Sequence, residues 1–134
     1  MTAGDLAAMQ RLAEQPNAAD QVLVADRGGV PLGWWAEGLT GRETLYASEL
    51  RWLRFDTERQ RTRTANVLLY QSGFPDPSSA AAVTKAGIRY VLLPYASAFG
   101  VDQRAPGPGW RVAFAAGDAV VMAPDPSTAL TSAP

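Results

Sequence analysis

Two short apolar runs, QVLVAD (21–26) and IRYVLLPY (88–95), constrain the fold of this chain more than any other feature. Both are rich in aliphatic and β-branched side chains and are bounded by Asp, Gly or Pro, the pattern of a strand covered on both faces. A third run, ETLYAS (43–48), reads as a strand between them. Helical spacing fills the intervals. Residues 4–15 bring Leu6, Met9, Leu12 and Ala13 onto one stripe that Pro16-Asn17 ends. Residues 30–39 form a short helix with Pro31 in its first turn and Gly38 or Gly41 near its end. Across SELRWLRF and DTERQRTRTANVLLYQSG, the residues Leu50, Leu53, Ala65, Leu68 and Leu69 form a buried stripe with the arginines facing water. Asp56 is its N-cap and Gly73 its stop. A further helix over 77–86 closes at Gly87.

Residues 100–109, GVDQRAPGPG, form a loop, and WRVAFAAGDAVVMAP reads as a hairpin turning at Ala116-Gly117-Asp118. The order α-β-α-β-α-α-β-β-β predicts a three-layer α/β domain. Its sheet is expected to be central, mainly parallel and about five strands wide, with a C-terminal antiparallel hairpin on one edge and right-handed crossovers. One domain spans residues 1–124, followed by a flexible tail over 125–134; a chain of 134 residues buries one core, roughly 65–70% of its unfolded surface. The carboxyl ends of the strands, where ligands collect in open α/β sheets, carry Asp26 to Gly29, Ala47 to Glu49 and Tyr95 to Phe99.

Composition removes many chemistries. The chain has no Cys and no His, so disulfides, thiol nucleophiles, imidazole-based triads and most transition-metal sites are excluded. The residues assign no cofactor, no metal and no catalytic group. Twelve basic and thirteen acidic residues give a net charge of −1, which supplies no field for gathering nucleic acid. The longest apolar run is about six residues against the ~20 needed to span a bilayer, and no signal peptide is visible at Met1.

Four local groupings remain. The loop ADRGGVP between a strand and a helix offers backbone amides to a phosphate, but it lacks the G-x-G-x-x-G spacing, and a tight turn is the simpler role for Gly28 and Gly29. Trp34 and Trp35 point about 100° apart on a helix, so one can enter the core while the other, beside Glu37, stacks on a sugar ring or a protein. Packing is the more common fate of such rings. Glu37, Glu43, Glu49, Asp26 and Asp56 have no spacing that enforces the 5–10 Å pairing, roughly, of a glycosidase. Arg51, Arg54, Arg59, Arg61 and Arg63, offset by Glu49, Asp56 and Glu58, read as a solvated helix face, with an anionic lipid or carrier-lipid phosphate as the sharper alternative.

Taken together, VLVADRGGVPLGWWAEGLTGRETLYASELRWLRF, ANVLLYQSGF and AAAVTKAGIRYVLLPYA resemble the soluble C-terminal portion of polytopic bacterial membrane proteins related to lipid-linked-sugar glycosyltransferases. The features in common are Trp34, Trp35, Gly41-Arg42, the run Gly87-Ile88-Arg89-Tyr90-Val91 and the closing hairpin, over about residues 5–124. WWAEG (34–38) is also similar to the Trp-Trp-Asp-Tyr-Gly motif of oligosaccharyltransferase catalytic subunits, but Ala36 and Glu37 replace the Asp and Tyr, so acceptor-peptide recognition does not carry over. The resemblance implies a non-catalytic accessory domain outside the cytoplasm, with the catalytic carboxylate in loops of a membrane portion that this chain lacks. It also implies a working surface of Asp26, Arg27, Trp34, Trp35, Glu37 and Arg42 and, as partners, the transmembrane portion of the parent protein and a glycan or lipid-linked sugar. No nucleic acid is among them, and the oligomeric state is not assigned. The alternative is a small cytoplasmic α/β nucleotide or phosphate binder using the Asp26–Gly29 loop.

Overall fold

A computed structural model describes residues 2–15, 21–25, 32–41, 44–46, 56–71 and 74–125. Helix α1 (Ala3–Ala13) starts at a reciprocal cap: Thr2 Oγ1 accepts from the Asp5 amide at 3.1 Å, and the Asp5 carboxylate accepts from the Thr2 amide at 2.9 Å. Two amides at the start of the segment, which the helix itself cannot pair, are thereby satisfied. The inward side of α1 carries Asp5, Ala8, Met9 and Leu12, whereas Leu6 and Ala13 are exposed. Apolar spacing alone assigned Leu6 and Ala13 to the buried stripe. The cap overrides it, because a carboxylate satisfied by backbone donors can be buried.

Strands β1 (Gln21–Val24), β2 (Thr44–Tyr46), β3 (Ile88–Leu93), β4 (Trp110–Ala116) and β5 (Ala119–Pro124) form one sheet in the order β2-β1-β3-β5-β4. β1 is parallel to β2 and to β3, while β5 is antiparallel to β3 and to β4. The expected mainly parallel sheet is therefore corrected to a mixed one. Helical crossovers link only the first three strands, and the tight turn at Gly117-Asp118 forces the last two to run in opposite directions. The hairpin does occupy one side of the sheet, with β5 inside and β4 outermost.

Neighbouring residues alternate between two cores, as the period of a strand requires. Val22, Val24, Leu92 and Val121 pack with Ala8, Met9 and Leu12 of α1 and with Ala36 of helix α2 (Leu32–Thr40). Leu23, Ala25, Val91, Leu93, Val120 and Met122 face the other way. Their cover is Ala65 of helix α3 (Asp56–Asn66), Leu68 and Leu69 of the π-helical turn Val67–Gln71, and Ala80 and Val83 of helix α4 (Pro77–Lys85). Helices thus lie against both faces. Of the predicted long stripe, Ala65, Leu68 and Leu69 are buried, while Leu50 and Leu53 lie outside the described residues. Residues 126–134 of the expected tail lie outside them too, whereas the Asp125 amide donates to the Gly109 carbonyl at 2.7 Å.

The order of the first three strands positions the candidate site. From β1 the chain crosses over α2 on one face to reach β2, then returns past α3 and α4 on the other face to reach β3. In open α/β sheets, paths leaving toward opposite faces mark the crevice where ligands collect, which by this strand order falls at the carboxyl ends of β1 and β3.

Candidate functional site

Pairing beyond β1 continues through Ala25, whose amide donates to the Leu92 carbonyl at 3.0 Å, so β1 and β3 reach the carboxyl edge together. After β3 the chain turns through Pro94 and Tyr95 into a short 3₁₀ turn, Ala96–Phe99. This turn is fastened to the tip of the β4–β5 hairpin. Asp118 receives three hydrogen bonds there: its carbonyl accepts from the Ala96 amide at 2.9 Å, and its two carboxylate oxygens accept from the Ser97 amide at 3.0 Å and from Ser97 Oγ at 2.8 Å. Gln103 Nε2 adds a bond to the Gly117 carbonyl at 2.6 Å. The start of α1 reaches the same edge, where Gly4 lies against the Ala116 carbonyl.

Among the described residues the carboxylates of Asp5 and Asp118 at this edge are both occupied by structural partners, and that of Asp102, beside Gln103, accepts from the Arg104 amide at 2.9 Å. Ser97 with Asp118 is not an activated nucleophile. A carboxylate that already accepts two bonds, in a chain without imidazole, fixes the hydroxyl rather than relaying its proton. Among the described residues of this edge, Tyr95 is a large exposed side chain, 41% accessible.

Of the residues singled out from sequence, Asp26, Arg27 and Arg42 lie outside the described residues, as do Gly28, Gly29 and 47–49. Trp34 and Trp35 fall in the first turn of α2, with side chains outside the described part. Glu37 lies further along α2. Its Oε1 is 3.6 Å from Arg61 Nη2, and the same Nη2 donates to the Thr44 carbonyl at the start of β2. Helices α2 and α3, from opposite faces, thus meet around an outer strand through one guanidinium. Arg61 is 30% exposed. The reading of the arginines as a solvated helix face is corrected at Arg61, whose charged guanidinium finds a strand carbonyl as its partner, while Arg51 and Arg54 lie outside the described residues. Thr62, one residue on, is fully buried. Nothing in the sequence pattern signals the Arg61 contact, because it depends on β2 being outermost. The spacing of Thr62, Ala65 and Leu69 does reveal which side of this segment turns inward.

This geometry ranks two substitutions. Glu37→Gln removes a half-exposed ion pair and is expected to cost less than about 1 kcal/mol. Arg61→Ala also removes a charged hydrogen bond to the Thr44 carbonyl and is expected to cost about 1–3 kcal/mol. Urea unfolding of both single variants and the double variant measures the order, and an equal loss for the two singles would refute the bridging role of Arg61. Compared with protein-family models, with curated proteins and with solved structures, the chain has no match in any of the three.

Proposed function

We propose that this α/β unit is a non-catalytic accessory domain of a larger membrane protein of the lipid-linked-sugar glycosyltransferase type, working outside the cytoplasm. It presents the carboxyl edge of its sheet to the membrane-embedded portion or to a bound glycan. The observation that carries this reading is the strand order β2-β1-β3. In this proposal the contact surface is formed by Asp26 and Arg27, which follow β1 in sequence, together with Trp34 and Trp35 of the first turn of α2. The occupied state of Asp5 and Asp118 supports a binding role over acid–base catalysis there. Among the described residues no helix is long and apolar enough to cross a membrane. In this proposal the membrane-embedded portion is a separate part of the parent protein.

A polyprenyl-phosphate-linked monosaccharide in detergent micelles, titrated while tryptophan emission is followed, tests the reading. Trp110 is buried in the core and serves as an internal reference. A saturable change that disappears in Trp34→Phe or Trp35→Phe supports glycan contact. Silence toward the glycan with retention on the purified membrane portion supports the contact role, and failure of both refutes the proposal.

A second reading rests on the same crevice: the Asp26–Gly29 loop holds a phosphate or nucleotide at the start of α2, in a cytoplasmic protein. ATP-induced shifts confined to the amides of residues 28–33 would favour it over the accessory domain.

A further inference from the structure

Toward the amino ends of β3 and β4, away from the crevice, α1 and the sheet enclose a cleft of about 130 Å³. A β-bulge creates it. Pairing between β4 and β5 runs Arg111 with Ala123 and Val112 with Met122, then skips to Phe114 with Val121, so Ala113 is an additional residue in β4. In an unbroken strand Phe114 would share the side of Val112. The additional residue turns it over: Val112 packs with the α4 side of the sheet, and Phe114 packs with the α1 side. Arg111 and Phe114 consequently both line the α1 cleft.

From the opposite wall, Arg11 in the last turn of α1 lays its guanidinium over Phe114, 5.6 Å from the ring centroid. Leu12 and Val121 form an apolar floor. Arg11 and Arg111 therefore both line one small cleft, and among the described residues no carboxylate lines it. Glu14 approaches Arg11 to only 3.9 Å with both side chains more than half exposed, a pair that water and salt weaken strongly. The Arg111 side chain makes no ion pair or hydrogen bond among the described residues. The carbonyl end of α1 opposes an anion at this place, but Gln15 Nε2 and the Glu14 amide already donate to the Arg11 carbonyl, at 3.2 and 3.3 Å.

We propose that this cleft binds a small phosphate-class oxyanion, free or as a terminal phosphomonoester, between the guanidinium groups of Arg11 and Arg111. Its size lies below the roughly 300 Å³ at which pockets for drug-sized ligands begin, which rules out enclosure of a nucleotide and fits a single phosphoryl group. Two planar guanidinium groups match the charge of a dianion and offer it paired donors. The site is independent of the proposed function at the carboxyl edge.

Amide and arginine Nε shifts of the labelled chain, followed during titration with inorganic phosphate at low ionic strength, test the site. The expected result is saturable movement confined to residues 11–15, 90 and 111–114. Arg111→Gln should weaken the affinity by about tenfold, whereas Arg104→Gln, an exposed arginine in the loop after the 3₁₀ turn, should leave it unchanged. Arg11→Lys keeps the charge but loses the fork and the stacking, so an intermediate loss is expected. In a second arm the chain is sedimented with phosphatidic acid vesicles or with neutral vesicles. Arg111-dependent retention on the former alone identifies the phosphomonoester as lipid-borne, and free-phosphate binding without retention identifies a soluble ligand. Absence of binding in both arms, or binding that Arg111→Gln leaves intact, overturns the proposal.

Discussion

Trp110→Ala is expected to remove about 3–5 kcal/mol of stability, a large share of the 5–15 kcal/mol, roughly, that holds a typical domain together. Trp110 is 2% exposed at the start of β4 and fills the core beneath α4. Its ring meets Phe74 edge-on at 5.2 Å and 75°, and Phe74 in turn meets Phe99 at 5.7 Å and 88°. The indole Nε1 also donates to the Asp76 carbonyl at 3.3 Å. The hydrogen bond is the minor part of the loss. That carbonyl also accepts from the Ser79 amide at 3.0 Å and from Ser79 Oγ at 2.6 Å, so deleting the indole leaves no buried acceptor unpaired. The cavity and the stranded phenylalanines dominate instead. Trp110→Phe, which keeps an aromatic face but not the indole volume, should lose less than the alanine variant. Urea unfolding measures both, and a loss below about 1.5 kcal/mol for the alanine variant would contradict this packing.

The second large effect runs against helix propensity. Alanine is favoured over glycine within helices by about 1 kcal/mol, and it also narrows the unfolded ensemble, so Gly4→Ala in α1 looks stabilising on local grounds. Tertiary geometry reverses the sign. A Cβ at Gly4 would lie 2.5 Å from the Ala116 carbonyl oxygen and 3.4 Å from the Ala119 side chain. The carbonyl belongs to the strand backbone and cannot rotate away, so α1 must lift from the sheet at the point where its cap is anchored. Overpacking of this kind costs roughly 1–3 kcal/mol. The expectation is a net loss of about 1–2 kcal/mol for Gly4→Ala and a larger one for Gly4→Val. A gain in melting temperature for Gly4→Ala would show that α1 does not approach the strand end so closely.

Much of this architecture was legible in the chain, because the strongest signals there are local. The aliphatic runs located β1 and β3, Gly117-Asp118 located the hairpin, and Pro77 with Gly87 bounded α4. What stayed hidden depends on which strand lies beside which. A period-two pattern says that β4 has two faces, but Ala113 looks like any other alanine in WRVAFAA until its pairing partner is known. For the same reason Arg61 reads as solvated until β2 becomes outermost, and Leu6 reads as core until the Thr2–Asp5 cap fixes the inward side of α1. The candidate site divides similarly. Asp26, Arg27 and Arg42 of the surface selected from sequence lie outside the described residues, whereas Glu37 is drawn toward Arg61 and the start of β2.

The guanidinium at Thr44 has a consequence for how this protein meets others. A sheet whose flank offers free carbonyls can be lengthened by a foreign chain, the first event in fibre growth. Here the Thr44 carbonyl on one flank already accepts from Arg61, and the register of the other is interrupted by the bulge at Ala113, so among the described residues neither flank presents an unbroken template for such zippering. Association is thereby directed to side chains on the faces and ends of the domain, where it can be selective and reversible.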